Sequence, residues 1–134
     1  MPFIILRLSE EFEMTVEPSR LPPQVQERLL RLQQLQQTLQ NVLVQKQQLE
    51  LELTELEQAL SEVEKLSEDA VIYKSIGTLL VKRDKAKVIN DLNERKELLN
   101  MRISVLGKQE ERLRGQVKEL QEKIQQDLRP MSPS

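Results

Sequence analysis

The chain has 134 residues, about one domain's worth, and 20 Lys and Arg against 22 Asp and Glu leave a net charge of −2. It has no cysteine and no histidine, which excludes disulfides, zinc–thiolate sites and thiol nucleophiles, together with the commonest general base and metal ligand. With 31% charged residues, three glycines and only Phe3, Phe12 and Tyr73 aromatic, the composition predicts long helices or coiled coil rather than a compact core, and not an enzyme.

Residues 1–20 read as an N-terminal extension. Phe3-Ile4-Ile5-Leu6, Leu8 and Phe12 are apolar, but this run is far short of the ~18 residues that span a bilayer. Two readings stand for the segment. In one, translation begins at Met14, and Glu10-Glu11 is a purine-rich ribosome-binding site read as coding sequence. In the other, it is a real appendage. The intact mass of the natively expressed protein separates them.

A domain is predicted over residues 21–130. Pro22-Pro23 opens a helix over 24–66, because proline in the first turn sacrifices no intrahelical bond. From Gln24 to Arg129 there is no proline, so helix can run without interruption. Leu39, Lys46, Leu53 and Leu60 fall at heptad position a, and Val42, Leu49, Leu56 and Val63 at d. Leu29, Leu32 and Leu35 precede them at consecutive spacings of three, which predicts a stammer that overwinds the supercoil.

A β-hairpin is predicted over residues 71–82. Val71-Ile72-Tyr73-Lys74-Ser75-Ile76 and Leu79-Leu80-Val81-Lys82 are rich in β-branched residues, and Gly77-Thr78 between them suits a type II′ turn. A second helix is expected over 85–128, ended by Pro130, with 131–134 as a tail. There Leu92, Leu99, Leu106, Leu113 and Leu120 repeat every seven residues, beside Ile89, Ile103, Val117 and Ile124. Two arms of similar length around a turnback predict an antiparallel two-helix coiled coil with both termini at its tip. The fold class is all-α coiled coil with one hairpin. An isolated hairpin is marginal in water, so Val71, Ile72, Tyr73, Ile76, Gly77, Leu79, Leu80 and Val81 are expected to carry oligomerisation through paired strand edges.

The string from Asp69 to Val81, with Tyr73-Lys74 and Gly77 between two heptad arms, resembles the β class of prefoldin subunits, of archaeal type with a single hairpin. Pro22-Pro23-Gln24-Val25-Gln26 and Leu128-Arg129-Pro130 extend the resemblance over residues 21–130. It implies an ATP-independent, cytoplasmic chaperone subunit without cofactor. In that family two α-class and four β-class subunits join their hairpins into a β-barrel from which coiled coils hang. Their tips hold unfolded clients and pass them to a group II chaperonin. In this chain the tip residues are Leu21, Val25, Leu29, Leu30, Ile124, Leu128 and Met131, expected to be bared as the helix ends fray.

Other patterns carry less. The heptad leucines resemble a leucine zipper, but Lys82-Arg83-Asp84-Lys85-Ala86-Lys87 follows a strand-like run and supplies no continuous basic helix. Near-neutral charge gives no support for a nucleic-acid partner. Glu50, Glu52, Glu55 and Glu57 form an acidic cluster that reads as a solvated helix face. Lys46, Lys96 and Glu110 interrupt the seam at a. If the chain folds back with Leu66 beside Lys85, Lys96 reaches Glu52 or Glu57, and Lys46 comes near Glu110; snorkelling to water is the competing expectation. Val44 and Leu51, with Leu98, Met101 and Val105, lie off the seam, either widening the core or forming a contact surface for clients or a neighbouring arm. The alternative to a chaperone is a structural tether or scaffold that binds no client.

Overall fold

The computed structural model describes residues 21–129. The elements are helix α1 (Pro23–Glu64), strand β1 (Ile72–Ile76), strand β2 (Leu79–Arg83) and helix α2 (Lys85–Leu128). Residues 1–20, with both candidate start codons, and the tail with Met131 lie outside the described residues.

Both helices begin where the local chemistry supplies a start. The Pro22 carbonyl accepts from the Val25 and Gln26 amides at 3.0 and 3.1 Å, and Pro23, at the first helical position, has no N–H to leave unpaired. The Gln26 side-chain amide donates to the Leu21 carbonyl at 2.7 Å, which ties the residue before the prolines to the first turn. At α2, Asp84 occupies the N-cap, and its carbonyl accepts from the Val88 amide at 3.0 Å. α1 stops at Glu64, two residues before the expected end. There the Leu66 amide bonds the Val63 carbonyl at 3.1 Å, and a second turn follows from Ser67 to Ala70 at 3.0 Å.

The described residues group into two compact units, one of residues 21–42 and 109–129, the other Leu43–Lys108. In each, α1 and α2 lie antiparallel. In the first, Arg28 pairs with Asp127, while Arg31 and Leu35 share an open groove with Gln116, Leu120 and Lys123. Its core is Leu21, Val25, Leu32, Leu35, Leu39 and Val42 from α1 and the residues before it, with Leu113, Val117 and Ile124 from α2. In the second, Leu56, Leu60 and Leu99 are buried.

The core corrects the predicted stammer. Leu32 and Leu35 are buried and Leu29 is only half-buried. The buried stripe 21, 25, 32, 35, 39, 42 keeps alternating spacings once position 28 is counted, so the heptad runs through unbroken. Position 28 is arginine, and this polar d residue makes the neighbouring Leu29 look like part of the seam.

The hairpin strands pair antiparallel from Ile72 opposite Arg83 to Ile76 opposite Leu79. Gly77 has φ of +58°, and no non-glycine residue among those described has positive φ. Positive φ at the first loop position alone is the II′ pattern, as the sequence predicts.

Two glycines sit inside α2. A Cβ built on Gly115 meets nothing within 4 Å, and its backbone is helical. Gly115→Ala is therefore expected to stabilise the chain by about 1 kcal/mol by removing unfolded-state entropy. Thermal unfolding measures it, and an unchanged or lower Tm would contradict the helical assignment there.

Candidate functional site

Two regions carry apolar side chains with functional promise. The first is the hairpin. Alternation along paired strands sets Ile72, Lys74 and Ile76 with Leu79, Val81 and Arg83 on one face, and Tyr73 and Ser75 with Leu80 and Lys82 on the other. Val71, Tyr73, Ile76, Leu79 and Leu80 are exposed, Leu80 to 70%. Ile72 and Val81 are half-buried. Both faces thus present large apolar residues, and both strands of the two-stranded sheet have an unpaired edge. Such a sheet is a template for further strands.

The base of the hairpin is held by a residue that the sequence alone did not single out for a role. The Lys85 ammonium donates to the Leu66 carbonyl at 2.7 Å and the Glu64 carbonyl at 3.2 Å, and lies 3.7 Å from the Glu68 carboxylate. Its side chain is only 13% exposed. A cation on the last carbonyl of α1 and on that of Leu66 just beyond it satisfies groups left open where the helix ends and opposes the dipole's negative end. It also fixes the start of α2 beside the end of α1, as the turnback requires. Lys85→Met keeps most of the stem but removes these bonds, and is expected to cost about 1.5–3 kcal/mol. Chemical denaturation would detect this, and a loss below experimental error would remove Lys85 from this role.

The second region is the paired ends of the helices. Leu21, Val25 and Ile124 are buried, Ile124 fully. Leu29 and Leu128 are half-buried. Leu30, at 57%, is exposed. Arg28 and Asp127 pair across the two helices with side chains each 26% exposed. Both occupy d positions, and the signal was available: Asp127 lies seven residues beyond Leu120, and Arg28 lies between Val25 and Leu32.

The remaining charged seam residues have these neighbours. Lys96 lies 3.9 Å from Glu57, one of the two expected partners. The other, Glu52, accepts instead from the Arg95 guanidinium, with the Nε contact at 3.2 Å. Lys46 lies 3.9 Å from Glu50 one turn on, and Glu110 accepts from Arg114 at 3.0 Å. Val44, Leu51, Met101 and Val105 are exposed, so these four do not widen the core, whereas Leu98 is half-buried. Val44 and Leu51 lie at f on α1 and Met101 at f on α2, opposite each helix's own seam, so the α1 and α2 stripes point away from one another.

Among the described residues no group of three or more carboxylates is placed to hold a metal ion. Among them, too, no helix is long and apolar enough to cross a membrane.

Comparison with known proteins gives a consistent relationship. The family described as "Prefoldin subunit" matches residues 26–130. Prefoldin subunit beta of Thermococcus onnurineus is 52% identical over 110 residues, which covers 82% of this chain and 95% of the relative. That of Methanothrix thermoacetophila is 44% identical over 113 residues, or 84% of this chain and 94% of the relative. The crystal structure of the prefoldin beta subunit from Thermococcus strain KS-1 superposes with a TM-score of 0.78 at 50% identity, covering 81% of this chain and 96% of that one. The beta2 subunit of the same strain gives 0.61 at 28% identity, over 67% and 96%. Two long helices around one hairpin, matched at this identity over most of each chain, place the chain in the prefoldin subunit family, in its β class.

Proposed function

We propose that this chain works as an ATP-independent chaperone subunit in the cytoplasm, binding non-native polypeptides at the paired helix ends and passing them to a group II chaperonin. It assembles with an α-class subunit, two α to four β, with the hairpins joined into a β-barrel. The observation that carries the reading is the hairpin. Its two strands expose apolar residues on both faces beside unpaired edges, and burying each such side chain stabilises an assembly by about 1.5–3 kcal/mol. Residues Val71, Ile72, Tyr73, Ile76, Gly77, Leu79, Leu80 and Val81 are the proposed assembly segment. Client contact is assigned to the ends that carry Leu21, Val25, Leu29, Leu30, Ile124 and Leu128, with Met131 beyond the described residues.

Native mass spectrometry of the chain mixed with an α-class partner tests assembly, and is expected to show a hexamer. Suppression of aggregation of a denatured model protein without nucleotide tests the chaperone activity. A hexamer that suppresses nothing would support the tether reading instead, and a persistent monomer would defeat the assembly proposal.

A further inference from the structure

The two strands of the hairpin carry charge of one sign. From Ala70 to Arg83 the sequence has Lys74, Lys82 and Arg83 and no carboxylate. Alternation puts Lys74 and Arg83 on the face with Ile72, Ile76, Leu79 and Val81, and Lys82 on the face with Tyr73 and Leu80. Lys74 and Lys82 are exposed, and among the described residues none of the three cations belongs to an ion pair. The Arg83 Nε is shielded from water and donates to no acceptor among those residues. Glu68, Asp69 and Asp84 lie outside the strands, and Glu68 already sits 3.7 Å from the Lys85 ammonium. Ile76 and Leu79 flank a two-residue loop and exchange hydrogen bonds, so the amides turned outward along the edges are those of Tyr73, Ser75, Leu80 and Lys82. A strand added beside β1 therefore meets Lys74, and one added beside β2 meets Lys82 and Arg83.

We infer that these cations select what pairs with the edges: a strand of a different chain that carries carboxylates, in preference to the hairpin of a second copy. The inference rests on the proposed assembly through the hairpin, and names the chemistry that the α-class subunit brings to it. Apolar faces and open edges alone make no choice, since they pair with any strand, a second copy included. Charge does. Whichever edge a second copy offers, it brings only cations, and like charges across neighbouring strands are destabilising. Lysine on an open edge guards against unwanted strand pairing for the same reason. A carboxylate on the incoming strand reverses the sign and pairs with Lys74 or Lys82 across the new ladder. One beside Arg83 also supplies the acceptor that its buried Nε lacks, and a buried donor left without one is costly. The incoming strand's apolar side chains then cover Tyr73, Ile76, Leu79 and Leu80, so that burial provides affinity and charge provides the choice.

Reversing the exposed pair, Lys74→Glu with Lys82→Glu, tests the choice, and Lys74→Gln with Lys82→Gln removes the charge at similar length. Circular dichroism checks that each variant is folded. Native mass spectrometry then follows each chain with an α-class partner. The reversed variant is expected to give on the order of tenfold less mixed complex than the unaltered chain, with the glutamine variant between them. In a second arm the unaltered chain is mixed with the reversed variant, one of them isotope-labelled so that the masses separate. Mixed oligomers should exceed those of either chain alone on the order of tenfold. That excess should shrink as ammonium acetate is raised from about 0.1 M to about 1 M, where the screening length falls to roughly 3 Å. A reversed variant that joins the α-class partner as well as the unaltered chain does would overturn the inference. So would a mixture with no preference for unlike copies. Absence of any complex between the unaltered chain and the α-class partner would instead defeat the assembly proposal, and the mixing arm would still decide the role of charge.

Discussion

Replacing Ile76 with proline is expected to abolish assembly while leaving helical content close to that of the unaltered chain. Ile76 is the last residue of β1, paired with Leu79 across the Gly77-Thr78 loop. Proline lacks the amide that donates to the ladder and is tolerated in sheets only at edges or bulges. Its loss removes a hydrogen bond worth about 1 kcal/mol. The isoleucine side chain, exposed in the single chain, would forfeit a further 1.5–3 kcal/mol or so in an assembly that buries it. Since 1.4 kcal/mol is tenfold in an equilibrium constant, a combined loss of about 3 kcal/mol weakens each hairpin contact by roughly a hundredfold. The helices draw their stability from their own seams, in which Ile76 takes no part. Ile76→Val keeps the donor and most of the volume and should still assemble. Native mass spectrometry reads the outcome. A proline variant of normal assembled mass would place the contact elsewhere, and a variant that lost its helices would show that the hairpin organises them.

Gly77 was readable because only positive φ at that loop position suits the flanking strands, and glycine supplies it without strain. The α2 seam was readable because Leu92 to Leu120 repeat without interruption. The first heptads of α1 were not, because Arg28 occupies a d position and Leu29 beside it offered a better hydrophobic match. An apolar pattern cannot register a seam residue that works by pairing, and its partner Asp127 lies 99 positions away. Lys85 escaped for a similar reason: its bonds go to backbone carbonyls of Glu64 and Leu66, which every residue type possesses. The outward apolar residues were visible in sequence, but whether they widened the core turned on exposure, which spacing does not give.

Filling the ionic position at the paired ends with leucine should reduce chaperone activity by making the ends more stable. Leu21, Val25 and Ile124 are buried where the helices pair, so they can meet a client only when the last turns separate. Terminal turns do separate, because their end groups lack intrahelical partners. In these turns the seam is closed at d by Arg28 and Asp127, each still 26% exposed to water. An ion pair in such a setting contributes on the order of 1 kcal/mol or less, whereas two buried leucines would contribute about 1.5–3 kcal/mol each. The double variant Arg28→Leu with Asp127→Leu should therefore raise protection of the end amides in hydrogen exchange and lower aggregation suppression several-fold. Leu30, which is exposed without any opening, gives the counter-test: Leu30→Ser should weaken suppression only modestly. Deleting the residues after Gln121, or those before Leu29, removes one side of the end altogether, and should lower suppression while the assembled complex still forms. If the leucine variant protects the ends yet suppresses aggregation as well as before, opening is not required. If both deletions also leave suppression unchanged, clients bind elsewhere on the chain.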